Sequence, residues 1–159
     1  MIRILSIDGG GIRGIIPGQI LVHLEKIFQD KSGNPDARIA DYFDMIAGTS
    51  TGGILTCFYL MPDPAKPGRP KYKATEAVDI YVKRGQDIFE KSFFRNIITL
   101  WGIRDKEYSV KGLEKALADF FYDTQLKNLI KPSLVTAYDI EARCAVFFTQ
   151  HDAQSDPYN

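Results

Sequence analysis

The chain has 159 residues, 45% of them apolar, enough for one domain with a real hydrophobic core. Its 20 basic and 20 acidic side chains cancel, which removes the long-range field that recruits nucleic acid or an anionic bilayer, so no nucleic-acid partner is expected. The two cysteines, Cys57 and Cys144, lie far apart and fit no metal spacing; they read as buried free thiols, and nothing implies an oxidising compartment.

The N-terminal MIRILSID enters a strand directly, over residues 2–7, without the basic, apolar and small-residue segments of a signal peptide. No apolar run is long enough to cross a bilayer, and the expectation is a soluble, cytoplasmic protein. The glycines of Asp8-Gly9-Gly10-Gly11-Ile12-Arg13-Gly14 lead into a helix over residues 17–29, where Pro17 suits the first turn and Ile20, Leu24, Ile27 and Phe28 form an apolar stripe. Residues 31–36 read as a loop, residues 42–47 as a short buried strand, and residues 52–61 as an apolar helix. This β-α-β-α order argues for a parallel sheet with helices on its faces.

After Met61 the stretch PDPAKPGRPKYK carries four prolines and four basic residues, and reads as a mobile surface loop. Thr75 suits the cap of a helix running to residue 89, with Ala77, Ile80, Tyr81, Ile88 and Phe89 on its inner face. SFFRNIITLWG, residues 92–102, is dense in large apolar side chains without a clear period; it reads as cover for the sheet or as a flap inserting Phe93, Phe94 and Trp101 among lipid headgroups. Ser109 starts another helix, with Leu113, Ala116, Leu117, Phe120 and Phe121 as its stripe. Residues 132–139 and 144–150 are two strands joined by the short IEAR turn.

The chemistry concentrates where the second strand gives way to its helix. Gly48-Thr49-Ser50-Thr51-Gly52 leaves no room for a loop, so the turn is sharp and its central residue takes strained backbone angles. A side chain at Gly48 or Gly52 would collide with the neighbouring strand or helix. What remains is the Ser50 hydroxyl at a helix N-terminus, the setting of a nucleophile; the competing reading is a serine that merely caps the helix.

The earlier DGGGIRG admits three readings: a glycine turn for close packing, a dinucleotide fingerprint through Gly9, Gly11 and Gly14, or an oxyanion hole of backbone amides. A dinucleotide site needs an acidic residue at the end of the second strand, where this chain has Gly48-Thr49-Ser50. In a parallel sheet the ends of strands one and two share one edge, so the glycine loop and the serine explain each other as one acyl-transfer site, with Arg13 adding positive charge.

With DGGGIRG, the DYFDMIAGTSTGG elbow and the later KPSLVTAYDIEARCAVFF in that order, the chain resembles the N-terminal half of patatin-like phospholipases, lipid acyl hydrolases related to plant patatins and calcium-independent phospholipases. The resemblance implies a three-layer α/β/α sandwich with a mainly parallel central sheet. It also implies Ser50 as nucleophile, Gly10, Gly11 and Arg13 as the oxyanion loop, and Gly48 and Gly52 as the elbow glycines. The implied substrates are ester bonds of phospholipids, lysophospholipids or galactolipids, reached by transient contact with the membrane interface and cleaved without metal or organic cofactor.

The family pairs its serine with an aspartate in a second Asp-Gly-Gly or Asp-Gly-Ala motif. Here the glycines after Gly53 stand at positions 68, 85, 102 and 112, and none follows an aspartate. The expectation is that residues 1–159 are the N-terminal portion of a single patatin-like domain, inactive on its own. His23, beside the helical stripe, and His151, near the end of the chain, read as packing or solvated residues; Asp8 and Asp44 read as partners of backbone groups or cations. Two other functions stay open at this point: acyl transfer to an acceptor other than water, and lipid binding without cleavage.

Overall fold

Parallel pairing organises the chain. In a computed structural model describing residues 1–88, 114–115 and 117–155, β1 (Ile4–Ile7) pairs in parallel with β2 (Met45–Thr49), and β2 with β5 (Ser133–Asp139). The strand β6 (Cys144–Thr149) adds antiparallel to β5, giving the order β1-β2-β5-β6. The sheet is central and mainly parallel with helices on both sides, the α/β architecture that the element order implies. The register sets Ile7 beside Gly48 and Thr49 beside Thr136, so the three parallel strands finish along one edge.

Helix α1 (Ile15–Ser32) follows a 3-10 turn at Gly11–Gly14 and is longer than its sequence pattern suggests, because Gly33, at φ 65°, supplies the left-handed stop only after Ser32. Its inward line also differs from the predicted stripe. Gly18, Leu21 and Glu25 are buried, Leu24 and Phe28 pack against the core, and Ile20 is 63% exposed. The reason is steric: the helix sits close enough to α4 (Ala74–Ile88) that a Cβ on Gly18 would lie 2.7 Å from a Val78 methyl, which turns Ile20 outward.

A short helix α2 (Ile39–Tyr42) precedes β2, and α3 (Thr51–Leu60) leaves it. Nearly every side of α3 is covered, as its uniform apolarity requires. Leu55, Phe58 and Leu60 are at most 1% exposed, and the Phe58 ring meets Tyr72, Phe120 and Phe121 at centroid distances of 5.2, 5.9 and 4.7 Å. Residues 117–121 are helical, which carries the described end of the helix predicted from Ser109.

The proline-rich stretch is not a loose loop. Pro62–Asp63 (β3) and Lys66–Pro70 (β4) pair as a two-stranded antiparallel ribbon, and Arg69 fastens it by donating to the Asp41 carboxylate at 2.7 Å and to the Asp36 carbonyl. Helix α4 buries Ala74, Ala77 and Val78 and packs Ile80 on the core; the Tyr81, Ile88 and Phe89 side chains lie outside the described residues. So do the SFFRNIITLWG stretch and Ser109, Leu113 and Ala116. A last short helix, α5 (Gln150–Ser155), follows β6. No helix among the described residues is long and apolar enough to cross a membrane.

Candidate active site

Ser50 has φ 54° and ψ −120°, a region that costs a non-glycine residue on the order of 1–3 kcal/mol. Both neighbours two residues away must be glycine for steric reasons. A Cβ on Gly48 would overlap the Gly52 carbonyl, and one on Gly52 would overlap the Ile7 carbonyl on the adjacent strand. Gly53 is nearly as confined, since a Cβ there would come within 2.9 Å of Val135. Ser50 stands at the N-cap of α3, and its carbonyl accepts the first helical bond from the Ile54 N–H at 3.2 Å. Its hydroxyl makes no capping bond and is exposed. A capping serine has extended angles and gives its oxygen to the helix amides; Ser50 does neither.

The glycine loop arrives from β1 on the same edge. A Cβ on Gly9 would lie 2.8 Å from the Thr49 carbonyl oxygen and 2.9 Å from the Ser50 Cβ, so only a bare backbone can press this closely on the elbow. Gly11, at φ 62°, then turns the chain into the 3-10 segment. The Arg13 amide donates to the Gly10 carbonyl at 3.2 Å, so it is already engaged within the turn. The Arg13 side chain is exposed and makes no ion pair among the described residues. On the other flank the Thr136 hydroxyl donates to the Thr49 hydroxyl at 2.9 Å and ties β5 to the base of the elbow.

Sequence reasoning singled out Gly10, Gly11, Arg13, Gly48, Ser50 and Gly52, and the fold brings the loop and the elbow together. It missed Gly9 and Gly53 as steric requirements, and Thr136 altogether. The surplus glycines in GGG and GG were a usable signal; a threonine 87 positions from Thr49 gave none.

No carboxylate or imidazole among the described residues hydrogen-bonds the Ser50 hydroxyl. His23 and His151 are exposed. Asp44 accepts from the Arg3 amide at 2.8 Å and lies 3.9 Å from its guanidinium, as its reading as a backbone and cation partner implies. Cys57 is half-buried, and burial pushes its thiol up to about 11, whereas Cys144, read from sequence as buried, is exposed on the edge strand. The described residues include no group of three or more His, Cys, Asp or Glu side chains arranged to hold a metal ion.

A mainly parallel α/β sheet with a strained serine at a strand-to-helix elbow and a glycine loop pressed against it defines a serine-elbow α/β protein. The family model for patatin-like phospholipase matches residues 5–158. Patatin-like protein 4 of Arabidopsis thaliana is 36% identical over 99% of this chain and 39% of its own length, and patatin-16 of Solanum tuberosum is 39% identical over 99% of this chain and 38% of its own. The chain belongs to the patatin-like phospholipase family, and it spans about two fifths of the length of these relatives.

Proposed function

We propose that this chain is the N-terminal, nucleophile-bearing portion of a lipid acyl hydrolase acting on carboxylic esters of phospholipids, lysophospholipids or galactolipids. The observation that carries the reading is Ser50 itself: its backbone is strained, its hydroxyl makes no capping bond, and its Cβ lies 2.9 Å from where a Gly9 Cβ would stand. Ser50 attacks the ester carbonyl carbon while its proton passes to a base, an aspartate downstream of residue 159. Amides of the Gly10–Gly11 turn and the Arg13 guanidinium stabilise the oxyanion. The carbon–oxygen bond to the alcohol then breaks, the alcohol leaves with the proton, and water frees the acid and restores the serine. The chemistry of this mechanism asks for no metal or organic cofactor.

The test is Ser50→Ala in the intact protein. Hydrolysis of a phospholipid and covalent labelling by a fluorophosphonate are both expected to disappear. Undiminished hydrolysis in the variant would dismiss Ser50 as nucleophile. The 159-residue chain by itself is expected to show no turnover, because this reading puts the base downstream of residue 159.

A further inference from the structure

A residue held at φ 54° relaxes unless its surroundings fix it, and the residue through which Ser50 would relax is Thr49, the last of β2. Thr49 is held on two flanks. From the β1 side Gly9 presses on its carbonyl oxygen, which a Cβ there would approach to 2.8 Å. From β5 the Thr136 hydroxyl donates to the Thr49 hydroxyl at 2.9 Å, and among the described residues the Thr49 hydroxyl has no other hydrogen-bond partner. The two threonines are also the final register pair of β2 and β5, so this bond stands where the ladder gives way to the turn. The same strand meets the far side of the elbow through Val135, whose methyl lies 2.9 Å from where a Gly53 Cβ would stand.

We propose that Thr136 is a positioning residue for the nucleophile: its hydrogen bond fixes the Thr49 side chain and, through the Thr49–Ser50 peptide, the line on which the Ser50 hydroxyl meets an ester carbonyl. The inference rests on the hydrolase reading and adds a residue from a third strand, acting through Thr49. The pair is open to water, which satisfies either hydroxyl once the other is removed, so the bond adds little to stability. Water cannot tie β5 to the elbow. Loss of the bond therefore falls on the direction of attack and not on folding, and a nucleophile displaced by about 1 Å reacts up to roughly a hundredfold more slowly.

The test is Thr136→Val in the intact protein, which keeps the branched shape a strand favours and removes the hydroxyl. The kcat for p-nitrophenyl butyrate and the rate of fluorophosphonate labelling are both expected to fall, by between about fivefold, the worth of one hydrogen bond, and about a hundredfold, with KM and the urea midpoint near wild type. Thr136→Ser, which restores a hydroxyl, should recover most of the loss. Thr49→Val should match Thr136→Val, and the double variant should lose no more than either alone, because each removes the same bond. Tyr138→Phe, which removes a hydroxyl two residues along β5 at a 62% exposed position, is the control that leaves every readout unchanged. Wild-type kcat and labelling in Thr136→Val, additive losses in the double variant, or equal losses in Thr136→Val and Thr136→Ser overturn the assignment. So does a loss that follows a lowered urea midpoint, which would make Thr136 a structural tie only. The two levels stay separable: labelling that survives Ser50→Ala overturns the nucleophile reading and this inference with it, whereas a silent Ser50→Ala beside wild-type labelling of Thr136→Val overturns this inference alone.

Discussion

Strain at Ser50 sets up a measurable opposition between stability and activity. Its backbone angles cost on the order of 1–3 kcal/mol, while a glycine there loses roughly 0.5–1 kcal/mol through greater freedom of the unfolded chain. The hydroxyl has no capping bond to forfeit. Ser50→Gly should therefore stabilise the chain by about 1 kcal/mol while abolishing fluorophosphonate labelling. Urea midpoints decide it, and a midpoint at or below wild type means the elbow stores no strain. Gly52→Ala should act in the opposite sense, because the added methyl meets the Ile7 carbonyl, backbone that cannot swing away. A loss of about 1–3 kcal/mol or more is expected, with labelling lost as the elbow shifts. Arg13 touches no carboxylate among the described residues, so Arg13→Ala should leave stability near wild type. On the proposed mechanism it should slow turnover of the intact protein by about ten- to a thousand-fold, as loss of an oxyanion donor does, and an unchanged rate would remove Arg13 from the mechanism.

Elements are held in place partly by one buried carboxylate. Glu25 is 4% exposed, and its two oxygens accept from the Ile39 amide at 3.1 Å and the Ala74 amide at 3.0 Å. Those amides open α2 and α4, so a single side chain of α1 supplies an acceptor to two helix N-termini. Burial pushes the Glu25 carboxyl above its ordinary range, and the two amide bonds offset only part of that shift. An acid whose folded pKa is raised binds its proton more tightly in the folded state. Stability is then greatest below the ordinary carboxylate pKa and falls as pH rises from there through the raised value. Glu25→Gln cannot ionise and should lack this decline, so the stability of the variant relative to wild type should climb across that window. It also turns an NH₂ towards one of the two amides, a loss of about 1–3 kcal/mol that does not vary with pH. Denaturant titrations at several pH values separate the two effects, and parallel pH profiles would remove Glu25 from the linkage. Among apolar residues of α3, Leu55→Ala should cost about 2–5 kcal/mol, since its side chain is wholly buried.

Seen as a whole molecule, the two thiols report different things. Cys144 on the edge strand should react with a thiol reagent at once in the native state, while Cys57, whose thiol burial pushes up to about 11, should react slowly until the chain unfolds. One fast thiol in buffer and two in denaturant is the expected titration; two fast thiols would mean that α3 opens in the native state. The same contrast marks what could be read in advance. Element order, the parallel sheet and the glycine-flanked serine were legible in the sequence, because periodicity and turn chemistry are local and GTSTG tolerates few backbone paths. Contacts made across the chain were not. The proline-rich stretch looked like a loop until Arg69 reached Asp41, and nothing local to Glu25 marks it as the acceptor for the first amides of two helices. Ile20 fitted an inner stripe by spacing, yet the close approach of Gly18 to Val78 rotated α1 and turned it outward. By itself the sequence determined the family and the type of residue at the elbow. Only the tertiary structure decided which backbone and which helix faces meet that elbow, because the spacing that brings Gly9 against Ser50 is set by strand register and helix packing.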